Sequence, residues 1–280
     1  MSSGLHRYSQ FVMFSTFLLI VAGGLVTSTG SGLSVPDWPL SYGQVFPPMI
    51  GGIRFEHTHR LIAGFVGGLT LILAVSLYLK EKRTWVKWMG LAAFLAVVTQ
   101  AVLGGLTVIY LLPTAVSVLH ACLAQTFFSL IAALCLFTSQ EWKNGAVYPC
   151  QNASSIRRLL ITTTIFIYLQ LIVGASVRHT KGGGLYYHLT LAALIVMHLI
   201  FILIKIAKEN KIREKFLAPA IFLLSLLVLQ ILLGAGTFFV PFNRVLITTA
   251  HQANGALILA TAVVLSLRSF RSLRTEIPGA

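Results

Sequence analysis

Acidic residues are the scarcest feature of this chain: seven aspartates and glutamates stand against 21 lysines and arginines in 280 residues. Charged residues of both signs make up only 10% of the sequence, where a water-soluble domain carries about a quarter. So few charges, with a mean hydropathy of +0.85, exclude an ordinary soluble enzyme and indicate an integral membrane protein. The net charge of +14 raises nucleic acid as a partner. The basic residues are spread through short connections between apolar runs, however, so the lipid bilayer accounts for them and no nucleic acid is expected.

Cysteine is nearly missing too, with three residues. Cys122 and Cys135 fall on one apolar run, roughly 20 Å apart if helical, which is too far for a disulfide. Cys150 reads as a lone loop residue. No Cys-x-x-Cys-His is present, which excludes covalent c-type haem. The first apolar run, Phe11 to Leu25 behind His6 and Arg7, has the look of a signal peptide but lacks an Ala-x-Ala site before Gly23-Gly24. It also has a counterpart later in the chain, so it reads as a retained helix.

What is present is a series of long apolar runs. Eight are long enough to span a bilayer, which takes about 20 helical residues. They cover residues 9–28, 55–79, 86–109, 115–137, 157–177, 186–206, 217–239 and 245–267. Their connections alternate in charge. Arg54, Arg60, Arg178, Lys181 and Arg244 fall on one side, and the other sixteen of the 21 basic residues fall on the opposite side. The positive-inside rule then predicts that both termini are cytoplasmic.

The chain also repeats. His59 maps onto His188 at an offset of 129, Gln100 onto Gln230 at 130, and His120 onto His251 at 131. Gly23-Gly24 and Gly104-Gly105 in the first half correspond to Gly174-Ala175 and Gly234-Ala235-Gly236 in the second. A parallel duplication of this kind predicts an all-α membrane protein of eight transmembrane helices in two pseudo-symmetric four-helix bundles. The expected divisions are 1–140 for the first bundle, 141–156 for a cytoplasmic linker and 157–280 for the second bundle. One asymmetry is a long first outer loop, 28–54, with Pro36, Asp37, Trp38, Pro39, Tyr42, Phe46, Pro47 and Pro48, against about ten mostly glycine residues after Arg178. Its length suits a lid or binding loop, and its aromatics suit a membrane interface.

His59, His120, His188 and His251 each stand near the outer end of an even-numbered run. A single such histidine reads best as a buried, hydrogen-bonded core residue. Four at matched positions of a repeat favour two di-histidine haem sites, His59 with His120 and His188 with His251. Zinc fits less well, because each pair lacks the further ligands a structural zinc takes. The small residues at the same depth suit either a flat macrocycle or close helix packing. Glu56, three before His59, has Leu185 as its counterpart before His188. A carboxylate in one site only suggests chemistry there and electron transfer in the other; the plainer reading is a solvated charge at a helix N-terminus. His57 lies off the Glu56/His59 face and suits a hydrogen bond within the loop, whereas His198, mid-span, suits a satisfied core histidine. The outer basic residues carry no assignable role.

Residues 23–40, reading Gly-Gly-Leu-Val-Thr-Ser-Thr-Gly-Ser-Gly-Leu-Ser-Val-Pro-Asp-Trp-Pro-Leu, and Glu-x-x-His-Arg at 56–60 resemble the haem A synthase family over essentially the whole chain. That resemblance implies an oxidoreductase of the cell (inner) membrane with its haem sites near the outer face. It would oxidise the C8 methyl of haem O to the formyl of haem A, by successive hydroxylations with water as oxygen source, for cytochrome oxidase assembly. It implies Glu56 as the catalytic carboxylate and His59 with His120 as axial ligands of the substrate haem. His188 and His251 would be the axial ligands of a resident haem b. Haem O synthase and the oxidase assembly machinery are the partners implied; homo-oligomerisation is left open. Many bacterial members carry a cysteine pair in the first outer loop where this chain has Val35 and Ser41, so a thiol step is not available to it. The competing classes are a non-catalytic di-haem b electron-transfer protein and a haem carrier or chaperone.

Overall fold

The computed structural model describes residues 2–180 and 182–275, so Lys181, counted above among the outer charges, lies outside the described residues. The first four long helices are α1 (Ser2–Ser28), α2 (Ile53–Lys80), α3 (Thr84–Ile109) and α4 (Thr114–Thr138). A short α5 (Gln140–Asn144) and the strand β1 (Tyr148–Cys150) follow. Then come α6 (Ala153–His179), α7 (Leu185–Lys208), α8 (Asn210–Phe239), α9 (Arg244–Ser272) and the strand β2 (Leu273–Thr275). Among the described residues, eight helices are long and apolar enough to cross a membrane, as the hydropathy predicts.

Several helices outrun their apolar stretches. α1 begins at Ser2, α6 at Ala153 and α8 at Asn210, whereas the runs begin at 9, 157 and 217. An apolar run marks where the chain meets lipid. A helix already formed continues into water because each further residue adds a backbone hydrogen bond without a new nucleation cost. α8 even carries Pro219 within its body.

Each half closes a ring in which α1 packs on α2, α2 on α3, α3 on α4 and α4 on α1. The same neighbour relations join α6, α7, α8 and α9. α1, α4 and α9 form the wall between the rings, sharing Ile20, Phe128, Ala132, Ala256 and Ala260. Small side chains there let the backbones approach, which is how helices associate where no hydrophobic drive separates them from lipid.

The two apolar cores occupy corresponding levels. In the first half the core runs through Val12, Leu19, Val66, Leu73, Val86, Val97, Phe127 and Leu134. In the second it runs through Leu160, Ile167, Ile195, Leu199, Phe216, Leu227 and Ile258. Both cores lie on the far side of the histidines from the long loop, whose end of the molecule is called outer and the opposite end inner. Large apolar side chains thus fill the inner part of each ring and leave the outer part to histidine, glutamine and glycine.

At the inner end the 141–156 segment is structured. β1 pairs in parallel with β2, matching Tyr148 to Leu273 and Cys150 to Thr275, and Cys150 is fully buried, not a free loop residue. Arginines fasten this end: Arg271 Nε donates to Trp142 O at 2.9 Å, Arg268 pairs with Glu141 at 2.7 Å, and Arg157 donates to Leu273 O. Arg83 joins Glu81 at 2.7 Å and donates to Phe137 O at 2.8 Å. Arg83 beside it holds the Glu81 carboxyl down at about 2.

Candidate functional site

All four repeat histidines use the same local device. A Cβ placed on Gly23 of α1 would stand 3.0 Å from Cε1 of His59 on α2. The matching distances are 3.1 Å for Gly104 and His120, 2.9 Å for Gly174 and His188, and 3.2 Å for Gly234 and His251. Each imidazole therefore lies against the bare backbone of the preceding helix, and even alanine would crowd it. The adjacent residues do other work. A Cβ on Gly24 would meet Thr249 across the ring interface at 3.1 Å, and one on Gly105 would meet the Trp38 ring at 2.6 Å.

His59 lies within electrostatic range of His120, and His251 within range of His188. In all four the Nδ1 atom is buried without a protein partner. An unmet buried polar group costs about 1–3 kcal/mol, so four at matched positions suit a partner from outside the chain. Among the described residues no three or more of His, Cys, Asp and Glu converge as a bare metal ion would require. Two such imidazoles in one helix ring, each backed by glycine, would suit a metal that brings its own equatorial ligands, as the iron of a haem does.

Glutamines contact the two histidine rings of the second half, contacts the sequence reading did not assign. Gln230 Nε2 lies 3.2 Å from His251 Nε2 and is itself oriented by Asn254, whose Nδ2 donates to Gln230 Oε1 at 2.7 Å. Gln170 Nε2 lies 3.4 Å from His188 Nε2. In the first half Gln100 instead donates to the His120 carbonyl at 2.9 Å. The common offset of Gln100 and Gln230 was the available signal.

Glu56 is not the solvated charge of the plainer reading. It is 3% exposed and receives Val35 N–H on Oε2 at 2.9 Å and Arg60 Nη2 on Oε1 at 2.6 Å. Arg60 also reaches the outer loop, donating from Nη1 to Asp37 O at 2.7 Å and to Leu40 O at 2.6 Å. Ser41 Oγ and His57 Nδ1 are 2.8 Å apart, so His57 bonds within the loop as its position suggests. His198 meets Thr163 Oγ1 at 3.5 Å and the edge of Phe166, in keeping with a core histidine.

The loop is also tied to itself. Asp37 accepts Tyr42 N–H at 2.6 Å and Gly43 N–H at 2.7 Å, and these backbone donors hold its carboxyl below the usual range. Tyr42 donates its hydroxyl to Ser34 O at 2.8 Å, while Phe46 stays exposed. Trp38 leans inward onto Gly105 rather than lying wholly at an interface. Val35 and Ser41, the positions where many relatives are expected to carry cysteines, are both buried and both tied to α2.

A family profile described as "Cytochrome oxidase assembly protein" matches residues 6–51 and 53–190, taking in Glu56, His59, His120 and His188. A "Heme A synthase" of an Exiguobacterium species is 27% identical over 273 residues, covering 87% of this chain and 88% of that protein. The "Heme A synthase" of Bacillus pumilus is 30% identical over 188 residues, covering 65% of this chain and 61% of its own length. That of Shouchella clausii is 27% identical over 187 residues, covering 65% and 62%. With its profile running from α1 into α7 across well over half of the sequence, the chain belongs to the cytochrome oxidase assembly protein family.

Proposed function

We propose that this chain is a haem A synthase that oxidises the C8 methyl of haem O to a formyl group by successive hydroxylations, with water as the oxygen source. The carrying observation is the two sets of glycine-backed histidines, of which only the first has a buried carboxylate, Glu56, one helical turn before its histidine. The names borne by the relatives support the same reading.

His59 and His120 hold the substrate haem, and His188 and His251 hold a resident haem b. When bound, the resident haem supplies an outlet for electrons. The Glu56 carboxylate accepts protons released as the methyl is oxidised and orients the attacking water. Arg60 and the Val35 N–H fix that carboxylate in place, so no reorganisation is needed when charge develops. The loop over α2 excludes bulk water, with Trp38 closing the space beside Gly105. Haem O synthase supplies the substrate and the oxidase assembly machinery receives the product, at the outer side of the cell membrane.

Acid extraction and mass analysis of haems from the purified protein, co-expressed with a haem O source, tests this directly. Haem A or its hydroxylated intermediate beside haem b is expected. Haem b alone, at two per chain, would establish a di-haem electron-transfer protein instead.

A further inference from the structure

The outer end of the second ring carries an uncompensated cationic pair. Arg178 stands four residues beyond Gly174 on α6, and Arg244 seven before His251 on α9, so each shares a helix face with its partner in the haem site. Arg178 is half-buried one residue from the end of α6, and Arg244 is exposed at the first residue of α9, the helix that packs against α6. No aspartate or glutamate occurs in residues 142–208 or 215–275. The two outer carboxylates of the chain are committed elsewhere, Glu56 to Arg60 and Asp37 to the amides of its own loop. A half-buried arginine with a second arginine at the end of the neighbouring helix, and no acid in the surrounding sequence, suits an anion from outside the chain.

The first ring lacks this device. Counting from the histidine-backing glycines and from the histidines, Arg178 corresponds to Thr27 and Arg244 to Pro113. Thr27 spends its hydroxyl on Gly23 O at 3.0 Å, and proline has no side-chain donor.

We propose that Arg178 and Arg244 form a dicarboxylate anchor that grips the propionates of the resident haem, and that its absence from the first ring lets that ring release its haem. The inference rests on the second ring holding haem b. Guanidinium–carboxylate contacts are charge-assisted and frequently bidentate, so a ligand gripped at two carboxylates leaves slowly. A ligand that has to depart as product is better served by axial contacts alone.

The test uses full-length protein made in haem-deficient cells and loaded with either haem b or its dimethyl ester, in which both propionates are blocked. Haem loss to excess apomyoglobin and the midpoint potential are then measured. Arg178→Ala with Arg244→Ala should speed loss of haem b by about tenfold or more and lower its potential. Arg178→Lys should largely preserve retention, and Arg54→Ala on the first-ring rim should change nothing. The dimethyl ester should leave wild-type protein as fast as haem b leaves the double variant, with no further effect of the substitutions. Unchanged retention and potential in the double variant would overturn the anchor. So would a dimethyl ester retained as firmly as haem b, which would assign the arginines to a lipid phosphate. Wild-type protein that takes up no haem b in the second ring would overturn the underlying reading as well.

Discussion

Gly23, Gly104, Gly174 and Gly234 each reserve space for one imidazole, so the four should be intolerant of any side chain. Gly174→Ala is expected to displace His188, costing about 1–3 kcal/mol of packing strain and lowering the bound haem b measured by pyridine haemochrome. Gly67→Ala, at a position with nothing within 4 Å, should leave haem content unchanged and serves as the control. At Glu56 the expected result is different in kind. Glu56→Gln should keep both haem sites filled while haem A formation, followed by mass analysis, falls by about 10²–10⁴-fold. Normal haem A production by that variant would remove Glu56 from the chemistry and leave it a fastener for Val35 and Arg60.

Among the elements, the outer loop depends most on a single side chain. Arg60 joins the carbonyls of Asp37 and Leu40 to the Glu56 carboxylate, so Arg60→Ala should free the cover while leaving α2 helical. Hydrogen exchange is the measurement: amides of residues 34–44 should lose protection in the variant, and those of 66–77 should not. Equal protection in both proteins would mean that Ser41 with His57, and Trp38 on Gly105, hold the loop unaided. This element also shows where reading the sequence stopped. Arg60 gave no sign of its role because its loop partners are backbone carbonyls, which every residue has. Likewise Gly23 and Gly24 are indistinguishable in sequence, yet a turn of about 100° between neighbours sends one to His59 and the other to Thr249.

For the whole molecule, the spans were legible because lipid demands long apolar helices, and the matched placing of four histidines against four glycines was legible because duplication repeats it. The three-residue strands were not, being too short to show a period. The inner end should respond to acid as a unit. Arg83 lowers the Glu81 carboxyl from 4.5 to about 2, so the stability it gives is complete above pH 4.5 and is lost as pH falls towards 2. Thermal unfolding in detergent should show that loss in the wild type. In Glu81→Gln the slope over the same window should be reduced, and an unaltered slope would show that Glu81 does not carry it.

The parallel pairing of β1 with β2 bears on how the protein is made. β1 precedes the second ring in the chain and β2 follows it, so during synthesis β1 waits with an unpaired edge until α6 to α9 have all entered the membrane. The pairing therefore acts as a clasp that only a fully inserted second ring can close.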